Sequence, residues 1–203
     1  MTHRLFVALP IPARVRDTLD SFVTPRRDAD PALRFVPAEN WHLTLAFLGD
    51  VPEDRHDRLI AGLQDVATHS RELAVTLEGG GAFPHPGAAR VIWLGAAHGE
   101  PGLAALARRV RQACARAAVP HEGGQFTAHL TLARAHQPQR VDRWLTIVDA
   151  IPPLSWLVSG FTLVESTLNR GGSIYRPVEE FTFGARPRPS SGTPAEQDAP
   201  RLA

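Results

Sequence analysis

The sequence predicts an α+β fold with mainly antiparallel sheets, on three observations. Strand-length apolar segments alternate with segments whose apolar residues recur at helical spacing. Several neighbouring strands are hairpin-connected, and no strand enters a helix through the Gly-rich turn of a dinucleotide-binding or P-loop fold.

Taken in order, Arg4 to Leu9 reads as a short buried strand. Past Pro10 and Pro12, the residues Val15, Leu19, Phe22 and Val23 share one side of a helix. A Pro-rich approach at Val36 and Pro37 leads to a strand over His42 to Leu48, stopped by Gly49-Asp50. Asp50 with Glu53 resembles a capping box for the next helix, whose buried stripe is Leu59, Ile60, Leu63 and Val66. Leu73 to Leu77 and Arg90 to Leu94 read as strands joined by a Gly- and Pro-rich loop, Gly79 to Gly87. A helix follows with Leu103, Leu106, Val110 and Ala117 on its apolar face, and Arg108, Arg109, Arg111 and Arg116 read as a solvated face. After a loop over His121 to Gln125, a strand runs from Phe126 through Ala133. Gly160 to Ser166 and Tyr175 to Phe183 then flank a turn at Gly171-Gly172.

A chain of 203 residues, 43% hydrophobic and 21% charged, can bury a substantial core and is expected to form one folding unit over residues 1–184. Residues 185–203, ARPRPSSGTPAEQDAPRLA, offer almost nothing to bury and read as a flexible tail. The N-terminal apolar run is too short for a signal-peptide core, and no stretch reaches the roughly 18 apolar residues of a membrane span, which points to a cytoplasmic protein. With no apolar surface stripe left over, a monomer is expected. The single cysteine, Cys114, excludes an internal disulfide and a cysteine-cluster metal site. A net charge of +1 argues against a long nucleic-acid groove and leaves room for a local phosphate site. Every basic side chain is Arg and none is Lys, which fits a genome bias that also enriches Ala and Pro.

The informative feature is an internal echo. Asn40-Trp41-His42-Leu43-Thr44-Leu45-Ala46 is matched by Thr127-Ala128-His129-Leu130-Thr131-Leu132-Ala133. In a strand, residues i and i+2 share a face, so each copy presents a His and a Thr on one side and two leucines on the other. If the two halves are related by a pseudo-two-fold, two imidazoles and two hydroxyls converge on one point. That set suits a phosphodiester. One imidazole takes a proton from an attacking hydroxyl while the other gives one to the leaving oxygen, and an ordinary pKa of about 6.5 lets both forms exist near neutrality. The threonine hydroxyls can donate to the non-bridging oxygens. The residues alone do not say which histidine plays which part. His42 and His129 have no carboxylate or third ligand at metal-site spacing, and His85 and His121 sit in Gly/Pro loops as surface residues, so no metal or other cofactor is expected.

These residues resemble the 2H phosphoesterase superfamily, named for paired His-X-Thr/Ser-X motifs, and within it the bacterial and archaeal RNA 2′,3′-cyclic phosphodiesterases, once called 2′-5′ RNA ligases. The resemblance spans Arg4 to Phe183. It rests on Arg4 to Leu9, Glu39 to Gly49, Arg90 to Gly95, His129 to Arg134, and Phe161-Thr162-Leu163 with Tyr175, in that order and spacing. It implies a bilobal fold with the motif strands lining a central cleft, and opening of a terminal 2′,3′-cyclic phosphate to a 2′-phosphate, with reversible 2′-5′ ligation in some members. By the same resemblance, His42 is the proton donor to the leaving 3′ oxygen and His129 the proton acceptor that activates water. Thr44, Thr131 and Arg134 bind phosphate, and Tyr175 and Phe6 border the nucleotide, although both read equally as core residues and core is the favoured reading for Phe6. Simple alternation puts Arg134 on the leucine face, so its part requires the strand to end or bulge before it. Ala128 departs from the family pattern, which commonly has Pro there.

Two other readings compete. One keeps the catalytic pair on another small cyclic nucleotide, such as ADP-ribose 1″,2″-cyclic phosphate, or on a 2′-5′ linkage. The other is an RNA- or phosphate-binding module without turnover, against which stand both intact His-X-Thr pairs.

Overall fold

The computed structural model describes residues 2–96, 101–169 and 172–184. Its elements run β1 (Thr2–Pro10), α1 (Ala13–Val23), β2 (Leu33–Phe35), β3 (His42–Pro52), α2 (His56–Thr68), β4 (Leu73–Phe83) and β5 (Ala89–Ala96). They continue through α3 (Pro101–Arg116), β6 (His129–Gln139), α4 (Asp142–Asp149), β7 (Leu154–Val158), β8 (Gly160–Asn169) and β9 (Gly172–Thr182). The α+β class with antiparallel pairing holds throughout the described residues.

Among those residues the strands form one sheet in the order β7-β4-β5-β6-β3-β1-β8-β9, with β2 alongside β6. The order reads outward from its middle as two arms of matching composition, β3-β1-β8-β9 and β6-β5-β4-β7. Strand pairing joins the arms through a single residue pair, Leu43 with Leu130. Just beyond that pair, β2 takes the free edge of β6, from Phe35 opposite Ala133 to Leu33 opposite Ala135, and the Val36 N–H donates to the Leu132 carbonyl at 2.9 Å. In the antiparallel register of the Leu43–Leu130 pair, β3 runs on past the start of β6 while β6 runs on alongside β2, so the two strands separate on either side of the junction and a cleft lies between the arms.

The leucine face of both motif strands is fully covered: Leu43, Leu45, Leu130 and Leu132 are all at most 2% exposed. They pack in one core with Val15 and Leu19 of α1, Leu59 and Leu63 of α2, Leu103, Leu106 and Val110 of α3, and Trp144 and Val148 of α4. The helical stripes read from the sequence are therefore the buried faces. The arginines of α3 are not simply a solvated face. Arg109 donates to the His69 carbonyl and the Ser70 hydroxyl, and Arg111 donates to the Leu45 and Gly124 carbonyls while lying 5.3 Å from the centre of the Phe126 ring.

Several boundaries differ from expectation for identifiable reasons. Gly49 adopts φ +65°, which lets β3 absorb an irregularity and continue to Pro52. Asp50 consequently lies inside the strand and caps nothing; α2 begins at His56 without a side-chain cap. The glycines at 79–81 extend β4 and do not break it, because a Cβ on Gly81 would lie 2.0 Å from the Trp93 ring. β6 starts at His129, three residues after the expected strand, and runs on to Gln139. The short elements β2, α4 and β7 were not anticipated. Gly171 and residues 185–203, the expected turn and tail, lie outside the described residues.

Because Leu43 sits at the one pairing between the arms among the described residues, Leu43→Ala is expected to cost about 2–5 kcal/mol of unfolding free energy. Chemical denaturation measures it; a loss under about 1 kcal/mol would show that this junction is loosely packed.

Candidate active site

Each motif strand departs from simple alternation at the same place. In β3, Val7 of β1 faces Ala46 and Ala8 faces Thr44, so Leu45 is an extra residue. In β6, Ile92 of β5 faces Ala133 and Trp93 faces Thr131, so Leu132 is an extra residue. These are β-bulges at equivalent positions of the echo. Leu45 and Ala46 are both buried, as are Leu132 and Ala133, and the next residue of each strand is exposed. The bulge required for Arg134 is thus present, and Arg134 lies on the His-Thr face. Its counterpart on the other strand is Phe47. The carbonyl of bulged Leu45 is the one that accepts from Arg111, and the backbone of bulged Leu132 is tied to Val36.

The cleft is a cavity of about 580 Å³ whose lining includes His42, Thr44, His129, Thr131, Arg134, Phe6 and Tyr175. All seven residues singled out in the sequence therefore meet at one site. Phe6 needs a correction. It is only 3% exposed, yet its side chain is not part of the main core; it lies under the cleft, 4.8 Å from the His42 ring, 5.0 Å from Tyr175 and 5.9 Å from Phe47. β1 alternates regularly, and Phe6 and Ala8 fall on the cleft side while Leu5, Val7 and Leu9 enter the core.

The two histidines are held alike. His42 Nδ1 is 2.7 Å from the Asn40 carbonyl, and His129 Nδ1 is 2.8 Å from the Thr127 carbonyl. A carbonyl only accepts, so Nδ1 carries the proton in both rings and Nε2 is left as the free nitrogen. Tyr175 meets the His42 ring edge-on at 5.4 Å; Phe83 and Trp93 contact His129 at 4.9 and 5.9 Å. Burial pushes His42 down to about 4, against the pull of its bond to Asn40 and with added repulsion from His129 and Arg134. Burial likewise lowers His129, opposed by the Thr127 bond and assisted by Arg134. Both imidazoles are therefore neutral near pH 7 with the cleft empty.

Sequence reasoning missed three supports. Asn40 orients His42 through its carbonyl and reaches the Ser173 carbonyl with its side-chain amide at 3.3 Å; it was visible inside the echoed block, but nothing there marks a backbone partner. Phe83 lies in another strand and carried no motif, and Trp93, although inside the Arg90 to Gly95 block, had nothing in the sequence to place it beside His129. Ala128 stands where relatives commonly have Pro, and its carbonyl accepts the Ala96 N–H at 3.0 Å, so the approach to His129 is tied to β5 without a proline. Among the described residues, no group of three or more His, Cys, Asp or Glu side chains is placed to hold a metal ion. Among them, no helix is long and apolar enough to cross a membrane.

A bilobal antiparallel scaffold that presents two matched His-X-Thr strands to one cleft defines a 2H-type phosphoesterase architecture. The sequence profile of the 2′-5′ RNA ligase superfamily matches residues 11–170, and the chain belongs to that family. A curated relative from Thermus thermophilus named RNA 2′,3′-cyclic phosphodiesterase is 32% identical over 208 residues, covering 96% of this chain and 98% of the relative. The crystal structure of TT0787 of Thermus thermophilus superposes with a TM-score of 0.74 at 30% identity, covering 89% of this chain and 98% of that one. Escherichia coli LigT in its apo form gives 0.71 at 31% identity, covering 90% and 98%; LigT has also been solved complexed with phosphate and with 3′-AMP.

The histidine environment has a measurable signature. In a ¹H–¹⁵N titration of the free protein, His42 is expected to stay neutral until about pH 4, whereas an unperturbed histidine would titrate near 6.5. Since the unfolded chain takes up this proton first, the contribution of His42 to stability is present above about pH 6.5 and is lost as the pH falls toward about 4. A His42 midpoint near 6.5 would mean the ring is solvated.

Proposed function

We propose that the protein opens 2′,3′-cyclic phosphates at RNA ends or on nucleotides to 2′-phosphates, with His42 as proton donor to the 3′ oxygen and His129 as proton acceptor from water. The observation that carries this reading is the matched pair of histidines. Each has its Nδ1–H committed to a backbone carbonyl, which leaves two Nε2 atoms, two threonine hydroxyls and the Arg134 guanidinium on a single cleft. Supporting it are the family, the name of the Thermus thermophilus relative, and the phosphate and 3′-AMP complexes of LigT.

In this mechanism the arriving phosphodiester anion offsets the burial that keeps the rings neutral, and His42 acquires a second proton at Nε2. Water attacks phosphorus in line with the 3′ oxygen and gives its proton to His129 Nε2. The bond from phosphorus to the 3′ oxygen breaks, and that oxygen takes the proton from His42 Nε2. The 2′-phosphate leaves, and exchange with solvent returns both rings to their starting state. Thr44 and Thr131 donate to the non-bridging oxygens, and Arg134 adds charge where negative charge accumulates. An RNA 5′-hydroxyl in place of water gives a 2′-5′ linkage by the same steps. In this reading the enzyme works as a cytoplasmic monomer and its cleft residues need no metal.

Incubation with an oligonucleotide ending in 2′,3′-cyclic phosphate is expected to give a chelator-resistant 2′-phosphate. His42→Ala and His129→Ala should each lower kcat by about 10²–10⁴-fold. Folded wild-type protein that yields no product would sink the reading.

The pH dependence follows from the histidine environment. The free enzyme, with His42 at about 4, should show the acid-requiring limb of kcat/KM at low pH, while the bound anion shifts the corresponding limb of kcat upward. Profiles that coincide would argue that substrate charge does not act on these rings.

A further inference from the structure

The catalytic cleft is longer than hydrolysis requires, and the register of its strands shows at which end. In the antiparallel pairing of Leu43 with Leu130, the residue after Leu43 comes level with the residue before Leu130, so His129 falls level with Thr44 and His42 with Thr131. The line from His42 to His129 therefore continues along β3 toward Phe47 and Gly49, and beside them along β1 to Arg4, which lies opposite Asp50. Past His129 the cleft is still lined by Phe47, Gly49, Glu122 and Arg4. In the proposed reaction the leaving oxygen is on the His42 side of phosphorus and the nucleophile on the His129 side, so whatever the nucleophile carries extends toward this end. Water carries nothing and occupies about 30 Å³ in the liquid, whereas the cleft holds about 580 Å³.

This end has a cation of its own. Phe47 stands where β6 has Arg134, so the charge comes from the adjoining strand: Arg4 shares the cleft face of β1 with Phe6. Arg4 is exposed, and among the described residues it makes no ion pair, although Asp50 lies opposite it. Arg134 repels both protonated imidazoles and Arg4 neither. Four residues of β1 separate Arg4 from Ala8, the partner of Thr44, which is about 13 Å at about 3.3 Å per residue. A side chain reaching back over part of that distance meets a phosphate one nucleotide removed from the reacting one. Glu122, whose N–H donates to the Phe47 carbonyl at 3.0 Å, repels a phosphate, which leaves Arg4 as the anion-binding group here.

Resting on the cyclic phosphodiesterase reading, we infer that this end of the cleft is the subsite for an RNA strand joined through its 5′ oxygen, with Arg4 holding the 3′-phosphate of that strand's first nucleotide. In joining, the 5′-hydroxyl oxygen bonds to phosphorus and its proton passes to His129 Nε2. The bond from phosphorus to the 3′ oxygen breaks, and that oxygen takes the proton from His42 Nε2. In the reverse direction the 3′-hydroxyl beside a 2′-5′ linkage attacks phosphorus and gives its proton to His42, while the 5′ oxygen leaves with a proton from His129. One subsite serves both directions, because its occupant always lies across phosphorus from the nucleoside that keeps the phosphate.

The test measures cleavage of a 2′-5′-linked adenosine dinucleotide in three forms: unmodified, with a phosphate on the 3′-hydroxyl of the nucleoside past the linkage, and with a phosphate on the 5′-hydroxyl of the nucleoside before it. Wild type should cleave the 3′-phosphorylated form with kcat/KM about 10- to 100-fold above the unmodified one, the range for one hydrogen-bonded charge contact. In Arg4→Gln that ratio should fall toward one, and Arg4→Lys should restore part of it. Added salt should also lower the wild-type ratio. A wild-type ratio near one, or a ratio unchanged in Arg4→Gln, overturns the subsite. So does an Arg4-dependent preference for the 5′-phosphorylated form, which would put Arg4 on the strand that keeps the phosphate. Hydrolysis of adenosine 2′,3′-cyclic phosphate is measured beside each. Wild type that hydrolyses it but leaves all three dinucleotides intact likewise overturns the subsite, whereas no turnover of it or of the RNA end fails the cyclic phosphodiesterase reading itself.

Discussion

Everything in the cleft depends on the single pairing of Leu43 with Leu130. Each leucine directly follows a motif histidine, and because the pairing is antiparallel, His42 and His129 flank the junction from its two ends while their rings reach the same cleft. One pair is enough because the leucines are sealed in the core below it, and one pair is also the limit. In the antiparallel register, β3 beyond Leu43 runs past the start of β6, and β6 beyond Leu130 runs alongside β2, which pairs Phe35 to Leu33 with Ala133 to Ala135. The two strands therefore separate on either side of the junction, and the cleft lies between the arms they belong to.

The bulges at Leu45 and Leu132 act next in the chain of causes. By inserting one residue, each turns the remainder of its strand over, so that the position five residues after the histidine returns to the cleft face. Without the bulge in β6, Arg134 would point into the core, where an unpaired guanidinium is prohibitively costly. The bulged Leu45 carbonyl is met by Arg111 of α3. Helix α3 therefore contributes to the site without lining it, which is why its arginine run has a meaning that neither a solvated face nor a nucleic-acid clamp describes.

What the sequence made legible was whatever repeats locally. The i, i+2 pattern placed His42 with Thr44 and His129 with Thr131 on one face, and the helical stripes of α1, α2 and α3 were readable from spacing. Long-range pairings left no such trace. Phe6 looked like core because its strand is apolar on both faces, and only its partners His42, Phe47 and Tyr175 reveal that it floors the cleft. The glycines at 79–81 looked like a loop because the reason for them, Trp93 lying over Gly81, is more than ten residues away. Strand β2 and helix α4 are too short for periodicity to register. Asp50 and Glu53 had the spacing of a cap, but the pairing of β1 with β3 claimed Asp50 for the strand.

A two-fold scaffold faces a difficulty in the proposed chemistry, since hydrolysis needs one proton donor and one acceptor, and the backbone supplies two equivalent histidines. Their Nδ1 contacts do not separate them, because both give the proton to a carbonyl two residues earlier. Burial does not separate them in kind, since it lowers both. What differs is the surroundings of each ring: Phe6 and Tyr175 bordering an open cavity beside His42, Phe83 and Trp93 filling the space beside His129. The side chain opposite each threonine differs as well, Ala8 against Trp93, so in the proposed chemistry a repeated motif draws its asymmetry from residues outside the repeat.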